Sequence, residues 1–215
     1  MARNLPGSAR QFGVAIRALL VFTVILGIAY PLAMTGVAQA LFHGNANGSI
    51  VQVNGKDVAS DLIGQAYTKQ VIKDGKPEVD SDGNPVMEAD PKWFQTRPSA
   101  VDYDSMGSSG SNLGPNNADL LAAVEERKKA VAALEGVDPA QVPPDAVTAS
   151  ASGLDPAISP AYAALQVNRV ARERGLTVEK VRQLVKENTK GRTLGFLGEP
   201  AVNVVTLNNA LAQLG

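Results

Sequence analysis

The chain has 215 residues, of which 45% are apolar and 19% are charged, and its net charge is −1. This length suffices for one sizeable hydrophobic core, and the balanced charge excludes a strongly basic nucleic-acid-binding surface. The sequence has no cysteine and a single histidine, His43. It therefore excludes disulfides, thiolate zinc sites, multi-histidine metal sites and any Ser-His-Asp triad without His43. We predict no metal site and no catalytic residue in this chain.

The N-terminal region has the charge pattern of a membrane anchor. The only charged residues before Lys56 are three arginines, Arg3, Arg10 and Arg17. Because a spanning helix needs about 20 mostly apolar residues, we predict a transmembrane helix over 13–38. Positively charged flanks stay inside the cell, so residues 1–12 are predicted to be cytoplasmic and residues 39–215 to form an extracytoplasmic domain.

A cleaved signal peptide is the alternative to an anchor. Ala38-Gln39-Ala40 has the small-x-small form of a cleavage site, and the arginines could belong to a signal sequence. The apolar run is longer than the roughly 7–15 residues of a signal peptide, which favours the anchor. Both interpretations place the remaining chain outside the cytoplasm.

Small residues recur along one side of the predicted span. Thr23, Gly27 and Pro31 are spaced by four residues, a spacing that lets another helix approach closely. Glycine and proline are also common in membrane helices for other reasons. We predict helix docking on this side and a kink at Pro31, with the simpler interpretation left open.

The first part of the outer domain is predicted to be rich in strands and turns. Residues 49–53 alternate and are β-branched, which indicates a strand, and Asn54-Gly55 is a turn signal. Residues 58–67 fit either a second strand or a turn of helix. Residues 69–92 are rich in Asp, Gly, Pro and Lys, which indicates a solvated, disordered-leaning excursion with a hairpin at 81–84.

The second part is predicted to be a long loop followed by helices, so the fold class is a mixed α/β domain behind one transmembrane helix. Residues 93–115 form the loop, and apolar spacing predicts a helix over 117–134. Ser159-Pro160 and Thr177 are start signals for two further helices. Residues 202–214 are either a strand leading into a helix or wholly helical.

A glycine-rich segment lies in the long loop. Its central residues are weak candidates for contacting a nucleotide or phosphate: Ser108, Ser109, Gly110, Ser111 and Asn112. Glycine-rich loops can direct backbone N–H groups at phosphates. However, the GxxxxGK[ST] pattern is absent and no lysine follows. The simpler interpretation is an ordered surface turn.

Arg97 and Asp155 are candidates for a partner interface. Arg97 precedes a proline, which stiffens its local frame, and a guanidinium can bind a carboxylate with two hydrogen bonds. For Arg97 an internal salt bridge is the default expectation, and a contact with another subunit is the sharper one. Asp155 could cap a helix, pair with Arg97 or face a partner. Ser150 and Ser152 lie near Gly153 without the G-x-S-x-G pattern of a nucleophile elbow.

Several short motifs follow one another over residues 13–214. They are Tyr30-Pro-Leu32, Asn45-Ala-Asn-Gly-Ser49, Leu62-Ile-Gly-Gln65, Arg97-Pro-Ser-Ala100, Gly110-Ser-Asn-Leu113, Val147-Thr-Ala-Ser-Ala-Ser-Gly-Leu-Asp155, Ile158-Ser-Pro160, Gln166, Arg169-Val-Ala171, Arg174-Gly-Leu176, Gly198-Glu-Pro200 and Val202-Asn203. In this set and order the chain resembles the C subunits of Kdp-type potassium-transporting ATPases. It departs from them where Ser109-Gly110 replaces a tandem glycine and where His43 replaces a proline, and residues 70–91 are longer than expected.

The resemblance implies an uncleaved anchor in the bacterial plasma (inner) membrane and a non-catalytic role in a P-type potassium pump. The implied partners are a potassium-channel-like subunit, a P-type ATPase subunit and a small single-span subunit, besides membrane lipid. ATP and potassium then act at the level of the complex, and this chain alone binds no cofactor. The family is described as a catalytic chaperone for ATP binding. A membrane-anchored periplasmic binding or structural protein is the alternative, and an extracytoplasmic hydrolase is a third hypothesis.

Overall fold

The computed structural model of the chain describes residues 6–53 and 55–214. The chain divides into two compact units, Met1–Ser49 and Ile50–Gly215. Arg3 and the predicted turn residue Asn54 lie outside the described residues.

The first unit is dominated by one long helix. It consists of α1 (Gly7–Val24), a π-helical segment (Ile25–Ala29) and α2 (Tyr30–Leu41). The 35 residues have a mean hydropathy of 2.4 over their most apolar window, so the helix is long and apolar enough to cross a membrane. The helix predicted over 13–38 is confirmed as a helix and extends further at both ends.

The backbone stays helical through the proline. Ile25 has φ −68° and ψ −53°, and Tyr30 has φ −64° and ψ −50°. Pro31 has no N–H to donate, and its ring would clash with the carbonyl of Gly27 in a regular α-helix. The wider π-helical turn directly before Pro31 accommodates the proline ring. A short helix, α3 (His43–Ala46), follows α2.

The second unit begins with short antiparallel strand pairs. β1 (Ile50–Val53) confirms the predicted first strand and pairs with β2 (Lys56–Ser60). Two further pairs lie within residues 68–89: β3 (Thr68–Gln70) with β6 (Met87–Ala89), and β4 (Ile72–Lys73) with β5 (Lys76–Pro77). The Asp80 carboxylate accepts the N–H groups of Asp82 and Asn84, both at 2.9 Å. These bonds close the hairpin predicted at 81–84.

Four helices follow, and side chains cap each of them. They are α4 (Ala118–Glu135), α5 (Pro160–Arg174), α6 (Val178–Glu187) and α7 (Val204–Ala212). As predicted, Ser159 and Thr177 cap their helices by accepting backbone N–H groups at 3.0 and 3.2 Å. Gly136 and Gly175 end α4 and α5 in the left-handed conformation that glycine adopts at helix ends.

The hydrophobic core lies among α5, α6, α7 and a three-stranded sheet. In that sheet β9 (Ala201–Asn203) lies between β7 (Ala157–Ile158) and β8 (Thr189–Lys190). The C-terminal segment is therefore a strand leading directly into a helix. Fully buried apolar residues join these elements: Phe94, Ala163, Val170, Val181, Val202, Val204, Leu207 and Leu211.

The loop that begins at Pro91 is held in this core by side chains rather than by a neighbouring strand. Asn208 accepts the N–H of Phe94 at 3.0 Å and donates to the carbonyl of Phe94 at 2.9 Å. In the same way Gln166 accepts the N–H of Gln95 at 2.6 Å and donates to the carbonyl of Gln95 at 3.1 Å. The two amides thus replace strand pairing and satisfy backbone groups that would be costly to leave unpaired inside a protein.

Arg169 is the largest fully buried side chain and anchors the same loop. Its guanidinium donates to the carbonyls of Pro91 and Trp93 at 2.6 and 2.9 Å, and to the Glu135 carboxylate at 3.0 Å. Burial raises the pKa of Glu135, while Arg169 acts in the opposite direction. Arg169 lies in the second half of α5, and its guanidinium is an internal partner of the loop rather than a surface charge.

Candidate functional site

Three loops that carry sequence motifs meet on one side of the second unit. We call this surface the loop face and define it as residues 97–103, 108–112 and 148–155. Arg97 links the first and third segments: its guanidinium lies 3.3 Å from the Asp155 carboxylate and 3.4 Å from the carbonyl of Thr148. The default expectation of an internal salt bridge for Arg97 is confirmed, and of the three alternatives for Asp155 the structure shows the pair with Arg97. Both side chains remain partly exposed, at 26% and 33%.

Ser99 and Tyr103 fix the shape of the first segment. The Ser99 hydroxyl donates to the carbonyl of Gly153 at 2.7 Å and accepts the N–H of Tyr103 at 3.0 Å. The Tyr103 hydroxyl donates to the carbonyl of Arg97 at 2.6 Å. Burial raises the pKa of Tyr103, which keeps its hydroxyl neutral and able to donate.

The glycine-rich segment packs against the third segment. The Ser109 N–H and the Ser108 hydroxyl both donate to the carbonyl of Ser152, at 3.0 and 3.1 Å. A Cβ atom at Gly110 would lie 2.8 Å from the carbonyl oxygen of Ala151. The backbone donor at Ser109 is thus used internally, which favours the interpretation of this segment as an ordered surface turn.

The rest of the glycine-rich segment is open to solvent. Ser111 and Asn112 are exposed, and Asn112 has a positive φ of 53°. The next helix begins only at Ala118, and its first N–H groups are capped by the Asn117 side chain. The segment therefore does not lead directly into a helix N-terminus, which is the arrangement that phosphate loops use.

A fourth motif, Leu62-Ile-Gly-Gln65, lies beside the loop face. The N–H of Gly64 donates to the carbonyl of Leu154 at 2.8 Å, which brings Leu62 and Ile63 beside Arg97. These residues line an open depression of about 590 Å³. Motifs far apart in the sequence thus form one continuous surface.

Several polar groups of this surface are already used in internal bonds. Within residues 6–53 and 55–214 no group of three or more His, Cys, Asp or Glu side chains could hold a metal ion. The Asp155 carboxylate is paired with Arg97, and the Ser99 hydroxyl is bonded to the backbone. An ordered set of hydroxyls, carbonyls and one partly exposed ion pair remains, as found at polar rims of protein interfaces.

Gly153 is a position at which the loop face leaves no room for an added side chain. Its φ is +69°, and a Cβ atom there would lie 2.6 Å from the Val101 side chain and 2.7 Å from the Ser109 carbonyl. We expect Gly153→Ala to lower the free energy of unfolding by about 2 kcal/mol, since strain and a steric clash add. Gly114→Ala is the matched control, because nothing lies within 4 Å of a Cβ atom there. Equal thermal unfolding midpoints of the two variants would contradict this packing.

The predicted docking side of the span has room beside Gly27. This glycine lies in the π-helical segment, and a Cβ atom there would approach only the Thr23 side chain, at 3.9 Å. Pro31 lies in the first turn of α2. The space beside Gly27 allows close approach of another helix, and docking through Thr23, Gly27 and Pro31 stays a prediction.

The helix and the folded unit define a class of protein: a chain with one helix that is apolar enough to cross a membrane and one unit of mixed helices and strands. The sequence model of the family described as KdpC, the c chain of the K⁺-transporting ATPase, matches residues 12–213. The chain therefore belongs to the KdpC family and is a subunit of a potassium-transporting ATPase complex.

Relatives support this assignment over their full length. A potassium-transporting ATPase KdpC subunit of Streptomyces avermitilis is 46% identical over 227 residues, covering 100% of this chain and 98% of the relative. One from Kineococcus radiotolerans is 47% identical over 213 residues, covering 98% and 97%. One from Mycobacterium tuberculosis is 46% identical over 209 residues, covering 95% and 99%.

Proposed function

We propose that this chain is an uncleaved, single-pass, non-catalytic subunit of an ATP-driven potassium pump in the bacterial plasma membrane, with its folded domain outside the cytoplasm. The observation that carries this proposal is the charge asymmetry of the 35-residue apolar helix. The arginines lie before the helix and in its N-terminal half, and no charged residue occurs from Ala18 to Gly55. Positively charged flanks remain on the cytoplasmic side.

The proposed role is to support assembly of the pump and its coupling of ATP hydrolysis to potassium transport. The partners are a channel-like subunit, a P-type ATPase subunit and a small single-span subunit. ATP is cytoplasmic, and in this topology only the residues up to Arg17 reach that side. Any effect of the chain on ATP affinity is therefore indirect, through the conformation of the assembled pump.

Membership in the KdpC family favours this role over a periplasmic binding or structural protein unrelated to transport. The hydrolase hypothesis gains no support from Ser99 or Asp155, because the Ser99 hydroxyl and the Asp155 carboxylate are both used in internal bonds.

The topology is testable with reporters at the C-terminus. Alkaline phosphatase fused after Gly215 is expected to be active, because the enzyme folds only outside the cytoplasm. A cytoplasm-only reporter at the same position is the control and is expected to be inactive. The mature chain is expected to retain Arg10 and Arg17 by mass spectrometry. A chain beginning at Leu41 would show a cleaved signal peptide, and an active cytoplasmic reporter would reverse the orientation.

A further inference from the structure

An apolar hairpin projects from the three-stranded sheet between β8 and β9. We define it as residues 191–198, and all eight residues are exposed. Leu194 is 80% exposed, Phe196 is 67% exposed and Leu197 is 50% exposed. Contiguous exposed apolar side chains on a folded domain mark interaction sites, whereas isolated ones are ordinary.

The apolar hairpin is ordered by its own backbone. Thr193 and Leu197 exchange two hydrogen bonds, each of 2.9 Å, and Phe196 donates to the carbonyl of Thr193 at 3.3 Å. Its second strand leads into Val202, which is fully buried in the sheet. The backbone that carries the three side chains is therefore ordered before binding, which reduces the backbone entropy lost when they bind.

Leu194 is held in a strained backbone conformation. Its φ is +55°, in the left-handed region where a Cβ atom is crowded, while its neighbour Gly195 has φ +83° without that difficulty. A glycine at position 194 would relieve the strain. An exposed leucine on a strained backbone contributes little to the stability of the fold. Its presence therefore indicates a role in binding.

Charge and size select the occupant of this surface. At the base of the hairpin the Arg192 guanidinium lies 2.7 Å from the Glu199 carboxylate, and Lys190 is exposed directly before the hairpin. One arginine paired with a carboxylate and one lysine fall short of the cluster of about 4–8 basic residues that binds an anionic bilayer. The three side chains expose roughly 300–400 Å², well below the ~800 Å² per partner of a stable interface. A contact of this size is too small to hold two proteins together by itself, so its partner must already be bound through other contacts. This disfavours a second copy of this chain as the partner.

We propose that the apolar hairpin inserts into an apolar socket on another subunit of the potassium-transporting ATPase complex. This inference rests on membership in a multisubunit ATPase and is independent of the proposed orientation in the membrane. The hairpin then acts as a rigid secondary contact that fixes the position of the folded domain within the assembled pump.

Variants of the hairpin separate assembly from folding. Leu194→Gly is expected to keep or raise the thermal unfolding midpoint of the full chain, because it relieves the strain, and to weaken its association with the other subunits about tenfold. Phe196→Ser is expected to weaken association similarly without changing the midpoint. Leu121→Ser and Val79→Ser are matched controls, since each side chain is 54% exposed elsewhere, and both are expected to leave association unchanged. Unchanged association of Leu194→Gly and Phe196→Ser would overturn the proposal.

Photocrosslinking identifies the occupant directly. With photoreactive benzoylphenylalanine in place of Phe196, the assembled complex is expected to give a crosslink to another subunit. A crosslink to lipid, a crosslink between two copies of this chain, or no crosslink would each overturn the proposal. The topology reporters are independent of this readout, so an error in orientation and an error in the docking proposal are distinguishable.

Discussion

Replacing Arg169 by methionine is expected to lower the free energy of unfolding of the folded domain by about 3–5 kcal/mol. The guanidinium is 1% exposed and its partner Glu135 is 0% exposed, so the variant leaves a buried carboxylate without its positive charge. It also removes the donors to the carbonyls of Pro91 and Trp93. Urea unfolding of the full chain in detergent measures the loss, and fluorescence of Trp93, the only tryptophan, reports on the anchored loop.

Two controls show whether burial is the cause. Arg172→Met removes an arginine that is 69% exposed and pairs with Glu173 at 3.0 Å, so a change below about 1 kcal/mol is expected. The double variant Arg169→Met with Glu135→Leu is expected to regain part of the loss, because no unpaired buried charge remains. Equal destabilisation by Arg169→Met and Arg172→Met would show that the buried network is not important for stability.

ATPase activity of the complex is expected to be lost when this chain is omitted, while the isolated chain is expected to bind ATP weakly or not at all. The chain has no P-loop lysine, and the Ser109 backbone donor in its glycine-rich segment is already bonded to Ser152. Both results follow if the chain stabilises one conformation of the assembled pump. Such coupling between distant sites is typically worth about 1–3 kcal/mol.

Reciprocity makes this mechanism quantitative. If the chain tightens binding of ATP to the pump, ATP must tighten association of the chain by the same factor. Affinity for a non-hydrolysable ATP analogue should be measured with and without the chain, and subunit association with and without the analogue. Unequal factors would refute the coupling. Tight and specific binding of nucleotide to the isolated chain would instead direct attention to Ser108, Ser109, Gly110, Ser111 and Asn112 as direct contacts.

Local signals predicted the elements of this protein well. The Ser159 and Thr177 caps and the hairpin at 81–84 depend on hydrogen bonds between residues two to four apart, so the local sequence is sufficient. The long apolar helix follows from composition alone. The Arg97–Asp155 pair was one of three alternatives for Asp155, and local sequence could not select it because the two residues are 58 positions apart.

The sequence by itself therefore determined the apolar helix, the capped helices of the folded domain and, through its motifs, the family. Only the tertiary structure decided which polar side chains are internal. Arg169 bonds to residues 76 and 78 positions earlier, and Asn208 to a residue 114 positions earlier. The tertiary structure likewise decided that Leu194 and Phe196 stay exposed while Val202, a few residues later, is fully buried. Burial and long-range pairing depend on the path of the whole chain, and residue type and spacing do not encode that path locally.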